Sequence, residues 1–210
     1  MKEYAIEGTD GAGKTPVALE VVKRLKESDI SVELFCLFAQ VNEKIPTKEL
    51  YPLWESDPHT AIKLLKEELV YIKEDARKRN VQVTIYDRHW MTVLTETMLR
   101  PHLANVWTDF VPTFFLLAPP EKTLQCRRYS PTVPWTKDKD TISEYYERYS
   151  ALKNEFAEHI LETYPIQDRT TPLEPIIKSI VTKISLDQKV NRNKKMNIDK
   201  KIDIIDMGQK

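Results

Sequence analysis

The sequence is poor in glycine and cysteine and has no excess charge of either sign. Four of its 210 residues are glycine, where about 7% is usual. The two cysteines, Cys36 and Cys126, lie far apart without C-x-x-C spacing, which predicts neither a disulfide scaffold nor a zinc cluster. The 32 basic residues balance 32 acidic ones, so we expect no nucleic-acid partner and no membrane partner.

Long apolar runs are also missing. Residues 1–7 lack the apolar core of a signal peptide, and the most apolar stretch, around residues 114–118, is too short to span a bilayer. We therefore expect a cytoplasmic protein. The length suits one domain with extensions, and a hydrophobic content of 41% is sufficient for a core.

Three of the four glycines lie within six positions, which predicts unusual backbone geometry at one place. The stretch matches G-x-x-x-x-G-K-[ST], and it follows a short alternating strand and precedes an amphipathic helix. Main-chain N–H groups at such a helix start bind phosphate oxygens. Lys14, expected to face solvent, would contact the β- and γ-phosphates of ATP, and Thr15 would bind Mg²⁺. The predicted nucleotide-binding residues are Gly8, Thr9, Asp10, Gly11, Ala12, Gly13, Lys14 and Thr15.

The alternative interpretation of this stretch is a glycine-rich turn between a strand and a helix, with an exposed lysine. The rest of the chain favours the phosphate loop, because strands and helices alternate as in a parallel sheet with crossover helices. We predict an α/β, three-layer P-loop NTPase fold with a five-stranded parallel sheet and flanking helices. The strands are expected near residues 2–7, 31–38, 81–86, 113–118 and 164–167.

The domain is predicted to span residues 1–186. A polar and basic C-terminal tail follows at residues 187–210, and a solvated extension is favoured over a nucleic-acid contact. One helix is predicted from the apolar stripe between Ile142 and Ile160.

A second motif follows the predicted third strand, which ends in Tyr86-Asp87-Arg88-His89. An aspartate beside the phosphates can hold Mg²⁺, and an arginine next to it suits a second substrate with a phosphate or a hydroxyl. The alternative is a helix-capping aspartate and a surface arginine. Neither D-x-x-G nor N-K-x-D occurs, which argues against a guanine-nucleotide switch.

Two further arginines, Arg127 and Arg128, precede a segment rich in loop-forming residues. Arginines that lead into such a segment suit a lid, near residues 127–140, that closes over transferring phosphates. The alternative is an ordinary solvated helix end. Since the phosphate loop has no arginine, these two are the nearest candidates to stabilise the transferring phosphoryl group.

Residues 7–15, 86–89 and 112–124 together resemble the thymidylate kinases and, more loosely, the deoxynucleoside kinases. The resemblance implies that Asp10 contacts the acceptor sugar, that Asp87 assists Mg²⁺ and that Arg88 binds the acceptor phosphate. It also implies that Arg127 and Arg128 act from the lid and that the protein is a homodimer. Residues 35–40 and 65–69 depart from the family pattern, and both segments normally shape the acceptor site.

These observations predict ATP- and Mg²⁺-dependent phosphoryl transfer to a nucleoside monophosphate, with Lys14, Asp87, Arg127 and Arg128 as the catalytic residues. One alternative is a deoxynucleoside kinase, for which Glu68 or Glu96 could act as the carboxylate base. The other is a nucleotide-binding module that transfers no phosphate.

Overall fold

Five parallel strands form the centre of the molecule. The computed structural model describes residues 1–38, 53–54, 56–97, 101–126, 139–168 and 170–207. The strands are β1 (Lys2–Gly8), β2 (Val32–Phe35), β3 (Val83–Asp87), β4 (Thr113–Leu117) and β5 (Ile160–Pro165). They pair in the order β2-β3-β1-β4-β5, and every pair is parallel. The predicted five-stranded parallel sheet is confirmed.

Helices cover both faces of this sheet. They are α1 (Lys14–Glu27), α2 (Pro58–Lys78), α3 (Trp90–Thr97), α4 (Pro120–Cys126), α5 (Lys139–Glu155) and α6 (Glu174–Met207). In the described part of the chain, the 3-10 turns Pro101–Val106 and Ala157–His159 connect elements. Apolar side chains of α2, α3 and α5 pack on one face, and those of α1 and α6 pack on the other. The predicted three-layer arrangement is therefore also confirmed.

The central strands are apolar because helices bury them on both faces. All five residues of β3 are buried, and in β4 only Leu117 is partly exposed. The helices bury one stripe each. In α1 this stripe contains Val17, Val21 and Leu25, which recur at helical spacing.

The start of β5 differs from the prediction. The stripe between Ile142 and Ile160 predicts one helix, but α5 ends at Glu155 and a 3-10 turn leads into β5 at Ile160. Since β5 is an edge strand whose only buried residue is Tyr164, its alternation is weak. The apolar Ile160 therefore fits the helical pattern of the preceding residues equally well.

The C-terminal helix continues through the predicted boundary at residue 186. Asp187 accepts a hydrogen bond from the Tyr4 hydroxyl and lies 3.3 Å from the Lys2 ammonium, so α6 is tied to the start of β1. The boundary stays a prediction. Within the described residues, the structure contains no helix with both the length and the hydropathy needed to cross a bilayer.

The strand order determines where a ligand would bind. From β1 the chain passes to one side of the sheet for β2 and β3, and later to the other side for β4 and β5. Ligands of open α/β sheets bind at the carboxyl ends of the strands where this order reverses. Here that position is the end of β1, between Asp87 at the end of β3 and Leu117 at the end of β4.

Candidate active site

The predicted phosphate loop connects β1 to α1 at the carboxyl edge of the sheet. Gly8 has a φ of 148°, and a Cβ on it would lie 1.9 Å from the Leu116 carbonyl oxygen of β4, so no other residue fits. Gly13, with a φ of 88°, is the N-cap of α1. The Thr9 hydroxyl donates to the Ala118 carbonyl and accepts from the Ala118 amide, both at 2.9 Å. The loop is thus held against the end of β4.

Lys14 differs from its prediction, because it is buried and does not face solvent. Its side chain is 5% exposed, its ammonium donates to the Thr9 carbonyl at 2.8 Å, and it lies 3.6 Å from the Asp10 carboxylate. Burial is the main cause that lowers its pKa to about 8. The loop therefore encloses a lysine ammonium beside its own backbone. A phosphate group bound there would be stabilised strongly by this positive charge, because little water screens it.

The two predicted metal ligands lie together. Thr15, in the first turn of α1, donates a hydrogen bond of 2.5 Å to one oxygen of Asp87 at the end of β3. The other Asp87 oxygen, Oδ1, is buried and has no hydrogen-bond partner among the residues that the structure describes. Mg²⁺ prefers oxygen ligands and commonly takes only one or two from the protein, with water and substrate phosphates completing the shell. The hydroxyl and the orphaned carboxylate oxygen therefore fit this ion.

Arg88 and Asp10, both predicted to bind the acceptor, form an ion pair across the mouth of the loop. Arg88 has a φ of 74°, an unusual conformation for a residue with a side chain. The Arg88 guanidinium is the main cause that holds the pKa of Asp10 well below its usual range. The side chains are 27% and 39% exposed, so the pair remains accessible to a ligand.

No role was predicted for Glu7, whose fully buried carboxylate, one residue before the phosphate loop, binds the start of α3. It accepts hydrogen bonds from the His89 amide at 2.5 Å, the Thr92 amide at 3.2 Å and the Thr92 hydroxyl at 2.8 Å. Burial raises its pKa. His89 directly precedes α3 and Thr92 lies in its first turn, so the carboxylate binds at the N-terminus of this helix, where a negative group is favourable. A glutamate in the apolar second half of β1, directly before Gly8, was the signal that could have identified it.

Glu96, one of the two candidate bases, lies at the far end of α3. The hydroxyl of Tyr145 on α5 donates to both of its oxygens at 2.9 Å. Burial raises the pKa of Glu96 to about 7, and the charges of Arg88 and Asp10 also act on it. The Arg148 guanidinium lies 5.1 Å from the centre of the Tyr145 ring. Glu68, the other candidate, is a buried residue of α2.

The predicted lid lies outside the described residues, except for its last two positions, which begin α5. Arg127 and Arg128 come directly after the end of α4 and belong to this part of the chain. Their assignment as lid arginines stays a prediction.

The chain was compared with protein families, curated proteins and solved structures, and only solved structures matched. No protein-family profile and no curated protein sequence matches the chain. Among solved structures, deoxyadenosine kinase from M. mycoides with the products dCMP and a flexible dCDP has a TM-score of 0.55 and 16% identity. This alignment covers 87% of the present chain and 98% of that chain. The same enzyme with bound dATP has a TM-score of 0.53 and 16% identity over 87% and 99% of the two chains.

At this low identity, the similarity shows only that the fold is shared. It does not indicate whether the chain is more similar in activity to thymidylate kinases or to deoxynucleoside kinases. The predicted fold is confirmed on both grounds, since the alignment extends over nearly the whole of those enzymes and the sheet has the same five parallel strands between helices. The chain therefore shares with those enzymes a three-layer α/β fold around a five-stranded parallel sheet.

Proposed function

We propose that this protein is an ATP- and Mg²⁺-dependent phosphotransferase that acts on a nucleoside or a nucleoside monophosphate. The observation that carries the proposal is the hydrogen bond between the Thr15 hydroxyl and Asp87, beside the orphaned Asp87 oxygen. These groups come from different elements, 72 positions apart, and meet next to a phosphate loop. A structural glycine turn requires neither the metal-binding pair nor the buried Lys14.

Each group has a distinct task in this proposal. The loop amides and the N-terminus of α1 bind the ATP phosphates, and Lys14 supplies a positive charge that is already desolvated. Thr15 and Asp87 would hold Mg²⁺, which neutralises phosphate charge when it is bound. Asp10 accepts a hydrogen bond from the attacking hydroxyl and thereby orients it. The protein's contribution is positioning and charge stabilisation, with little covalent chemistry of its own.

For the acceptor, we propose a nucleoside as the first candidate. Arg88 is paired with the Asp10 carboxylate, so much of its charge is already offset. Such surroundings suit an uncharged hydroxyl better than a phosphate dianion. The similar solved structures are named as a deoxyadenosine kinase, which agrees with this candidate.

A nucleoside monophosphate remains the second candidate because of the position of Arg88. Its guanidinium is partly exposed beside the loop, and a planar fork of donors binds phosphate oxygens well. An incoming phosphate could replace Asp10 as its partner. This candidate corresponds to the thymidylate kinase-like activity predicted from the sequence.

The test is ADP release from Mg-ATP with a panel of nucleosides and their 5′-monophosphates, against an acceptor-free control. We expect nucleosides to be phosphorylated, and we expect Asp87→Asn to raise the Mg²⁺ concentration that is required. Arg88→Ala should raise KM for a monophosphate far more than KM for ATP if the second candidate holds. ATP binding without turnover for any acceptor would instead identify a nucleotide-binding module.

A further inference from the structure

The apolar stripe that α6 packs into the core ends in a polar residue. Ile177, Ile180 and Ile184 are buried on this face of the helix, and the next position at helical spacing, four residues on, is Gln188. Gln188 is nevertheless only 9% exposed. A buried side-chain amide lowers stability unless its polar atoms are bonded. The glutamine therefore needs a polar partner at a position where an apolar side chain would need none.

The side-chain amide nitrogen of Gln188 lacks such a partner. This atom, Nε2, is buried and forms no hydrogen bond with any residue that the structure describes. An amide nitrogen carries two N–H donors and no acceptor. The missing partner is therefore an acceptor oxygen, and a ligand can provide it.

A cavity of about 250 Å³ lies beside Gln188. Ser185, Gln188 and Lys189 line it from α6, and they share one face of the helix because they are three and four residues apart. Ser28 and Ile30, which follow α1, complete the lining. One water molecule takes up about 30 Å³ in the liquid, so the cavity has room for a small molecule with several non-hydrogen atoms.

The lining of the cavity carries a positive charge. Lys189 contributes an ammonium group, which forms no ion pair within the part of the chain that the structure describes. The neighbouring Asp187 is not part of the lining, and its carboxylate accepts a hydrogen bond from Tyr4 and lies 3.3 Å from the Lys2 ammonium. The charge of Lys189 is therefore available to an anion in the cavity.

The end of α1, next to the cavity, needs no donor from a ligand. The Arg24 carbonyl accepts hydrogen bonds from the amide and the hydroxyl of Ser28. The Leu25 carbonyl accepts from the amides of Ser28 and Ile30. Because these carbonyls are bonded while the Gln188 amide nitrogen is not, the cavity favours a ligand that brings acceptor oxygens.

We propose that this cavity binds a small anion whose phosphate or carboxylate oxygens accept hydrogen bonds from Gln188 and Lys189. The 14 residues of α1 separate the cavity from the phosphate loop, a distance of about 21 Å along the helix axis. The anion is therefore a second ligand, distinct from the nucleotide and from the acceptor of the proposed phosphotransfer. The inference does not depend on that function.

The test is binding of inorganic phosphate and of succinate to the full chain at constant ionic strength, measured by calorimetry and by urea unfolding. We expect Gln188→Leu and Lys189→Met each to lower the affinity about tenfold to a hundredfold, the usual range for a hydrogen bond to a charged group. Without the anion, Gln188→Leu should be at least as stable as the unmodified protein, because leucine continues the apolar stripe. Lys178→Met, which removes another exposed lysine of α6, is the matched control and should bind the anion normally.

The variants separate this site from two other effects of phosphate. Phosphate stabilises folded proteins in general, because it is excluded from their surface, and it can also bind at the phosphate loop. Both effects are shared by Gln188→Leu and Lys178→Met, so the difference between these two proteins reports on the cavity. Lys14→Met should keep this difference, because it alters only the loop.

The two anions identify the chemistry of the ligand. Binding of phosphate alone would assign the site to a phosphate group, and binding of succinate alone would assign it to a carboxylate. Equal affinity of the unmodified protein, Gln188→Leu and Lys189→Met would overturn the inference. Absence of binding by both anions would overturn it as well.

Discussion

At the scale of single residues, burial changes what two charged side chains can do. Lys14 and Glu96 have opposite charges, yet burial disfavours the charged form of both, so the pKa of Lys14 falls to about 8 and that of Glu96 rises to about 7. Titratable groups shifted in this way cluster at functional sites. A bound phosphate would stabilise the protonated Lys14 and raise its pKa again.

Replacing Lys14 tests the phosphate loop. Lys14→Met keeps much of the side-chain volume and removes the charge, so we expect the rate of transfer to fall by about 10² to 10³ or more. Because the side chain is buried and bonded to Thr9, Lys14→Ala should also lower stability. The measurement is steady-state ADP release, with circular dichroism to confirm folding. Lys23→Met, in an exposed part of α1, serves as the control. Turnover by Lys14→Met equal to that of the unmodified protein and of Lys23→Met would refute the assignment.

Glu96 should make stability depend on pH. Folding raises its pKa from an ordinary value near 4.5 to about 7, so the unfolded chain releases this proton first as pH rises. The contribution of Glu96 to the free energy of unfolding therefore falls between about pH 4.5 and pH 7 and is constant above that range. The free energy of unfolding of Glu96→Gln minus that of the unmodified protein should therefore be larger at pH 8 than at pH 4.5. We expect this increase to be on the order of 2 kcal/mol.

The measurement for Glu96 is urea unfolding of both proteins at the two pH values. The difference between the two proteins isolates the titration of Glu96 from that of groups elsewhere in the chain. A difference that does not change with pH would mean that the carboxyl titrates normally in the folded protein.

At the scale of elements, the site depends on how closely β1 and β4 approach. The Leu116 carbonyl occupies the position that a Cβ of Gly8 would need, whereas a Cβ on Gly13 would meet side chains, with Leu173 nearest at 3.4 Å and Pro16 at 3.9 Å. Both glycines have positive φ. The two positions therefore share backbone strain but differ in whether the backbone of a neighbouring strand must move.

This difference predicts unequal costs for the same substitution. Gly13→Ala should lower the free energy of unfolding by about 1–2 kcal/mol, the usual cost of a left-handed residue with a Cβ. Gly8→Ala should cost more than about 3 kcal/mol, because β1 and β4 must also separate. Urea unfolding of the two variants measures both values. Equal losses would show that the strand contact at Gly8 can relax freely.

The element α3 also shows where sequence analysis reaches its limit. The motif at Asp87 and Arg88 was recognisable because it stands at the end of an apolar strand. Its orientation depends on Glu7, which holds the first turn of α3 from 82 and 85 positions away. Sequence spacing contains no information about that contact, since only the parallel pairing of β1 with β3 brings the two segments together.

At the scale of the whole molecule, α6 joins the C-terminal region to the first strand. Asp187 accepts a hydrogen bond from Tyr4 and lies beside Lys2, although the predicted domain ends one residue earlier. Tyr4 is buried next to Phe114, with ring centres 6.0 Å apart. The first residues of the predicted tail therefore contact the core, which gives the boundary a direct test.

Two shortened chains test whether the domain ends at residue 186. A chain that ends at residue 190 keeps Asp187, and we expect it to unfold at the same urea concentration as the full chain. A chain that ends at residue 186 leaves the Tyr4 hydroxyl without this partner, so its free energy of unfolding should be about 1–3 kcal/mol lower. Equal stability of the two shortened chains would support the boundary at residue 186. The homodimer that the family resemblance implies stays a prediction, which the same samples test by sedimentation.

Local signals determined much of this protein. The glycine spacing predicted the loop between β1 and α1, and the apolar stripe of α1 with its neighbouring strands predicted a parallel sheet, because both follow from contacts between residues close in sequence. Only the tertiary structure decided that Lys14 is buried, that Arg88 pairs with Asp10 and that Glu96 meets Tyr145. The two ion-pair and hydrogen-bond contacts join residues on different elements, which come together only when the helices pack on the assembled sheet. The burial of Lys14 likewise depends on the residues that surround it in the folded protein.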